Sequence, residues 1–461
     1  MKTKVLLALS ASVLFFSACS LAPEYKKPQM QLPAAQKEIN VNEEWFKTFN
    51  DQKLNLLIAE ALKNNDDLKL AVANVQKARA QYDISDADLY PQLDLSGSAL
   101  RQKRSVNAYP GFFGGLYNDF SMSASMSYEF DFWGKNSNQR DANLANFLAV
   151  DANKESLRIS LITDVATYYF NLVAVEEQLK IAQESLKNYE ESLAYREKQY
   201  KYGVIDSLTL AQSKAEAASV RTTIDALNVT KVKIQSSLVI LLGRSPKEIF
   251  EGFIDTKTEL PEFVKIPTTL PTNLLQNRPD VKIAEENLKA KTALIGVAKA
   301  AYFPNLSITG SYGFQSQKVS NLANSNSQVW GIGPSLYMPL FDFGRISASV
   351  KVTDAEQKAA LIEYGKTVKN AYKEVFDSLQ SIKAMQSKKE SMEQEVAAYD
   401  EAYRVAKKKY AIGTTSYLDV LIAQNLLLNS QLAYVTTRSE LLIEEATLYK
   451  ALGGGWRSVK D

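Results

Sequence analysis

Two hydrophobic periods divide this chain of 461 residues. In four stretches the apolar positions fall on every second residue. Leu93, Leu95, Gly97 and Ala99 form the first, and Met122, Ala124, Met126, Tyr128 and Phe130 the second. Leu306, Ile308, Tyr312 and Phe314 form the third, and Trp330, Ile332, Leu336, Met338 and Leu340 the fourth. A period of two with polar partners predicts strands with one apolar face, here over about 91–103, 119–132, 304–317 and 328–343. Strands of that length cross a bilayer when tilted, and their polar partners then face a water-filled lumen. The polar stretches Lys103 to Asn118 and Gln317 to Ser327 read as the external loops.

After each strand pair the period lengthens. Lys135 to Tyr202 contains no glycine or proline, and such a helix, at 1.5 Å per residue, runs for about 100 Å. Its apolar residues alternate in steps of four and three: Leu157, Leu161, Val165, Tyr168, Leu172, Val175, Leu179, Ala182, Leu186, Tyr189, Leu193. That spacing is a coiled-coil seam. Gly203 allows a turn, and Val204 to Leu242 is again free of helix breakers, so the pair forms a helical hairpin. Arg345 to Ile412, interrupted only by Gly365, a turn at Gly413 and a return through Leu418, Leu421, Leu428, Leu432 and Val435 repeat it.

The two halves are copies of one another. Tyr200, Gly203, Leu208 and Gly243 each recur 210 residues later as Tyr410, Gly413, Leu418 and Gly453; Phe130-Asp131-Phe132 recurs as Phe341-Asp342-Phe343. Internal duplication of this kind marks a repeated structural unit. The first repeat spans 53–244, with a helix, two strands and a hairpin over 135–242. The second spans 272–455, with the same parts and a hairpin over 345–452. A proline-rich connector, 245–271, reads as lying outside the rods, and 456–461 form a tail.

Composition narrows the chemistry. No histidine is present, which removes histidine triads, histidine-ligated zinc and the usual imidazole proton shuttle. The 54 basic and 52 acidic residues nearly cancel, against a nucleic-acid partner. Lys2 and Lys4, an apolar run from Val5 to Phe16 and small residues Ser17 and Ala18 form a signal peptide over 1–18. The next residue, Cys19, is the sole cysteine. Small residues before a cysteine at the end of a leader resemble a bacterial lipobox. That implies a covalent lipid on Cys19, an extended lipid-anchored segment over 19–52, and, with Ser20 following, sorting to the outer membrane.

Four spanning strands cannot close a barrel, and an open sheet edge has no hydrogen-bonding partners in hydrocarbon, so the chain must associate. The opening Cys19-Ser20-Leu21-Ala22-Pro23, the stretch Arg278-Pro279-Asp280-Val281 with Phe303-Pro304, and Gly333-Pro334-Ser335-Leu336 before Pro339-Leu340-Phe341-Asp342-Phe343-Gly344-Arg345 together resemble the TolC-like outer membrane efflux proteins. Within them they resemble the lipid-anchored OprM-like branch. The resemblance covers nearly the whole mature chain. It implies an α+β membrane protein, a homotrimer whose β-barrel of twelve strands is continued by a periplasmic coiled-coil tunnel. It also implies a passive conduit without cofactors that docks on a periplasmic adaptor and an inner-membrane pump, of the proton-driven RND type.

In that family the hairpin tips narrow the tunnel and meet the adaptor. The matching adaptor-contacting positions are Gly203, Val204, Ile205, Leu208, Gly413, Thr414 and Leu418, and the gate positions are Asp419, Tyr410, Thr415 and Asp206. Asp419 aligns with an acidic ring at the periplasmic entrance. Thr415 stands where the prototype carries a gate arginine and Thr209 where it carries an aspartate, so the latch differs here and Asp206 is a candidate for another. Asp419 also reads as a helix-start carboxylate and Gly203 and Gly413 as turn residues, without further roles. Drug efflux, protein secretion by the same architecture and a lipid-anchored coiled-coil scaffold are the three functional readings, the strands speaking against the scaffold.

Overall fold

The computed structural model describes residues 20–30, 41–105, 115–251, 254–257, 259–263 and 278–456. The leader over 1–18 and Cys19 lie outside the described residues, as do 457–461 of the tail. In chain order the elements are α1 (Gln52–Asn64), α2 (Asp66–Ala87), β1 (Gln92–Arg104), β2 (Gly115–Phe130), α3 (Lys135–Lys201), α4 (Ser207–Leu241), α5 (Pro246–Glu251), α6 (Pro279–Ala300), β3 (Asn305–Ser316), β4 (Gln328–Tyr337), α7 (Arg345–Ala411) and α8 (Tyr417–Ala451). Among the described residues no helix is long and apolar enough to cross a membrane.

One compact unit holds residues 20–30, 74–151 and 283–365 and contains the sheet. Its strands are antiparallel in the order β1-β2-β3-β4. The register sorts the side chains into two faces, because residues directly opposite one another in a ladder point the same way. Leu93, Met126, Gly310 and Ile332 form one row, and Leu95, Ala124, Tyr312 and Trp330 the next. The opposite face carries Ser96, Ser123, Gly313 and Val329, then Ser98, Ser121 and Gln315. Its hydroxyls bond across the strands, Ser96 Oγ to Ser123 Oγ at 3.1 Å and Ser98 Oγ to Ser121 Oγ at 2.8 Å. Trp330 on the apolar face is 75% exposed in the single chain, the arrangement of a wall with lipid on one side and water on the other.

Two strand limits differ from the sequence expectation. β2 begins at Gly115 rather than 119, because Leu116 and Gly115 pair with Lys103 and Arg104 and draw in the ends of the loop. β4 stops at Tyr337 rather than 343: its last partner is Asn305, the first residue of β3, and Pro339 has no N–H to extend the ladder. Asp342 instead starts α7, its carboxylate accepting from Gly344 N at 2.9 Å and Ile346 N at 2.7 Å. Asp131 does the same for α3, accepting from Asn136 N and Ser137 N at 2.9 and 2.8 Å. The repeated Phe-Asp-Phe is therefore a repeated helix cap, satisfying amide groups that the first turn leaves open.

The segment after Cys19 packs within this unit. Ser20 Oγ donates to Asn138 Oδ1 at 2.8 Å, and Lys27 pairs with Glu285 at 3.2 Å. A β-carbon on Gly296 would collide with Ala22, so the absence of a side chain makes room for the strap.

The second unit holds residues 41–73, 152–282 and 366–456 of the described chain. Its main core joins Trp45, Phe46 and Phe49 with Leu54 and Ile58 of α1, Ile162, Val165, Tyr169, Phe170 and Leu172 of α3, Leu238 of α4 and Leu442 of α8. The expected seam is buried at Leu161, Val165, Leu172, Val175, Leu179, Ala182 and Tyr189, while Leu157 is exposed. The expected single helix of the first repeat breaks at Asn65, whose side chain accepts from Leu68 N and donates to Leu241 O. The connector does not lie wholly outside the rods: Ile254 and Leu260 enter the core.

Candidate gate at the hairpin tips

Both tips are built by the same local chemistry. At the first, Gly203 has φ +66°, with Val204 N donating to Gln199 O at 2.8 Å and Gly203 N to Tyr200 O at 3.0 Å. At the second, Gly413 has φ +74°, with Thr414 N donating to Lys409 O at 2.9 Å and Gly413 N to Tyr410 O at 3.0 Å. This is a left-handed glycine cap that closes the last carbonyls of a helix. Val204, Leu208, Thr414 and Leu418 are exposed around these turns and Ile205 is half-buried.

The return helices start differently. Asp206 caps α4 alone, its Oδ1 accepting from Thr209 N at 2.8 Å. Ser416 and Asp419 form a reciprocal capping box at the start of α8. Asp419 Oδ2 accepts from Thr415 Oγ1 at 2.6 Å, Ser416 Oγ at 2.7 Å and Ser416 N at 3.1 Å. The Thr415 hydroxyl, then the Ser416 hydroxyl and amide, hold the Asp419 carboxyl below the usual carboxylate range. The Thr209 amide does the same for Asp206. Thr415 and Asp419 are thus brought together, whereas the hydrogen bonds of the Asp206 carboxylate stay within its own turn.

Tyr410 points to a residue that the sequence reading passed over. Arg196 of α3 is 4% exposed and donates from Nη1 to Tyr410 Oη and, at 2.6 Å, to Gln199 Oε1. Its guanidinium carbon lies 4.6 Å from the Tyr410 ring centre and 4.0 Å from that of Tyr417. Those two rings are 5.5 Å apart and inclined at 54°. Among the described residues no carboxylate pairs with Arg196. Three π faces, those of Tyr410 and Tyr417 and, at 5.5 Å, of the neighbouring Tyr195, and two oxygens take that place, and a desolvated cation–π contact is worth about 2 kcal/mol. Tyr417 Oη also hydrogen-bonds Ser192 Oγ at 3.0 Å. The signal for Arg196 was present: the four-three seam, carried one step past Leu193, lands on it.

Each strand pair is thus followed in the chain by one of two duplicated hairpins. The family described as "Outer membrane efflux protein" matches residues 57–244 and 270–454. The chain belongs to that family. The boundary between the two matched segments falls in the connector, as the duplication requires. Among relatives of the outer membrane efflux proteins, the "Cation efflux system protein CusC" of Escherichia coli O6:H1 is 33% identical over 459 residues, covering 96% of this chain and 97% of that one. The "Probable outer membrane lipoprotein SilC" of Salmonella typhimurium is 32% identical over 467 residues, covering 98% of each. The crystal structure of the Campylobacter jejuni CmeC outer membrane channel superposes with a TM-score of 0.90 at 28% identity, covering 96% of both chains. The fold class is that of the family's trimeric channels, a barrel of four strands per chain continued by a helical tunnel. As an outer membrane efflux protein the chain resides in the outer membrane with a periplasmic helical part, and members of the family work with efflux pump partners.

Proposed function

We propose that this outer membrane efflux protein is a passive, gated conduit for small toxic solutes, supplied by a periplasmic adaptor and an inner-membrane pump of the proton-driven RND type, and performs no catalysis itself. The observation that supports this most is end-to-end similarity to a protein named for cation efflux, at 96% of the chain, joined to a sheet whose β1 and β4 edges need partners from other copies. The test is intracellular accumulation of a panel of dyes, antibiotics and metal salts in a deletion strain against the complemented strain. Raised accumulation reversed by complementation is the expected result. Unchanged accumulation together with lost export of a protein would favour the secretion reading.

The anchor reading is that Cys19 carries covalent lipid. It is supported by the relative named as an outer membrane lipoprotein and by the docking of Ser20 beside the start of α3. Cys19→Ala should abolish labelling by radioactive palmitate; label retained on that variant would refute the assignment.

In this reading the exposed residues of both tips, Gly203, Val204, Ile205, Leu208, Gly413, Thr414 and Leu418, meet the adaptor. Tyr410, Thr415, Asp206 and Asp419 belong to the gate. Three Asp419 carboxylates at one entrance favour cations, and in each chain the hydrogen bonds from Thr415 and Ser416 hold the carboxyl below its usual range. A lowered pKa keeps the stabilising charge present above it and loses it as pH falls through it. Thr415→Val should therefore shift the acid loss of cation selectivity in planar bilayers to higher pH. Asp419→Asn should remove the selectivity at every pH, and a wild-type profile in both would exclude an Asp419 gate.

A further inference from the structure

We propose that Arg196 is a positioning residue of the gate: a buried cationic brace that ties the tip of the first hairpin to that of the second and holds the entrance narrow. The inference rests on the conduit reading above and deepens it. Its basis is where the three contacts lie. Arg196 stands on the last two turns of α3, in the first hairpin, while Tyr410 closes α7 and Tyr417 opens α8, on either side of the Gly413 turn. One guanidinium thus spans both limbs of the opposite hairpin, bonding the Tyr410 hydroxyl and lying 4.6 and 4.0 Å from the two ring centres. Tyr417 directly precedes Leu418 and Asp419, so whatever fixes the Tyr417 ring fixes the turn of helix that presents the carboxylate.

One other side-chain hydrogen bond crosses beside the brace, Ser192 Oγ with Tyr417 Oη at 3.0 Å, but the candidate gate residues nearest the turns make none. The Asp206 carboxylate is committed to Thr209 N, and the Thr415 hydroxyl to Asp419. Neither reaches across to the other hairpin. Deeper in the same unit the hairpins are joined by Asn425 to Glu216 at 3.2 Å and Arg438 to Glu177 at 3.0 Å. Both pairs lie below the turns. Arg196 is the cationic link of the last turns, and it is 4% exposed where arginine is rarely so buried without a carboxylate. Its Nε makes no hydrogen bond among the described residues. A charge held mainly by rings is held directionally but without the depth of an ion pair, which suits a contact that must open. Swinging the second hairpin outward strips the Tyr410 and Tyr417 rings from the cation in a single movement and leaves it only the more distant Tyr195 ring of its own helix.

The experiment is single-channel recording in planar phospholipid bilayers, with potassium chloride as the probe. The purified full-length trimer is compared with Arg196→Met, Arg196→Lys and Tyr410→Phe, each also followed by thermal unfolding. Arg196→Met, which keeps the stem and loses the cation, should raise the open fraction about tenfold. Arg196→Lys keeps a charge on the rings but loses the fork and should fall between. Tyr410→Phe keeps the ring and loses the hydroxyl, and should also fall between. Should Arg196→Met fail to assemble, the lysine and phenylalanine variants carry the test. Melting temperatures that drop while open fractions stay at the wild-type value assign Arg196 to stability alone and overturn the brace. Wild-type trimers that show the Asp419-dependent cation selectivity keep the conduit reading intact in that case. No conductance from wild type or any variant would instead overturn the conduit reading, and the brace with it.

Discussion

Replacing Arg278 with alanine is expected to lower the stability of the helical unit by about 3 kcal/mol, at the lower end of the range for a broken buried ion pair. Arg278 is 6% exposed and uses its whole fork. Nε and Nη2 donate to the two Asp280 oxygens at 3.0 and 2.6 Å, Nη2 reaches Glu374 Oε2 at 2.6 Å, and Nη1 donates to Ala451 O at 2.7 Å. The start of α6, the body of α7 and the end of α8 therefore meet on one side chain. Truncation leaves the Ala451 carbonyl without that donor and two carboxylates without a cation. Asp280 and Glu374 retain part of their water, which keeps the loss from being larger. Arg278→Lys should recover only part of it, because an ammonium cannot serve a bidentate carboxylate and a carbonyl in three directions. Thermal unfolding by circular dichroism reads the difference; an alanine variant as stable as wild type would show the cluster to be incidental.

A second large effect is expected at Gly243, with Gly203 as its internal control. Both close a helix in the left-handed region, at φ +65° and +66°. A methyl group there costs about 1–2 kcal/mol on conformation alone, and at Gly203 nothing else stands in its way. At Gly243 the added carbon would overlap the Asn64 carbonyl and crowd Asn65 N, and that is backbone, which cannot swing aside. Gly243→Ala should then cost more than about 4 kcal/mol, the range reserved for exceptional single substitutions. It should abolish assembly of the trimer, while Gly203→Ala leaves it in place. Equal behaviour of the two would mean that the α1–α2 junction yields more readily than a backbone contact permits.

What the sequence disclosed and what it withheld divide along the range of the interactions. The alternation from Leu93 to Ala99 and from Met122 to Phe130 depends on neighbours two residues away, and the strands followed it. The glycines 210 residues apart were legible because a left-handed cap is a local demand of the chain. The alternation runs past the end of β4 because the strand's limit is set by where β3 begins, a partner remote in sequence. Ile254 and Leu260 looked like linker residues, for nothing periodic surrounds them and only the assembled core buries them. Arg196 was hidden by its type: a cation at a seam position is ordinarily read as solvent-facing, and two tyrosines more than 200 residues away change that.

Between β1 and β2 the middle rows of the sheet's polar face are serine hydroxyls already bonded to one another, Ser96 with Ser123 and Ser98 with Ser121. A hydroxyl satisfied by its neighbour offers a passing solute little that water does not offer too. Uncharged cargo therefore meets shallow wells there and short residence times. Flux through this stretch of wall should scale with the rate of supply from below, without saturating at it, and chemically unrelated uncharged solutes should clear it at similar speed.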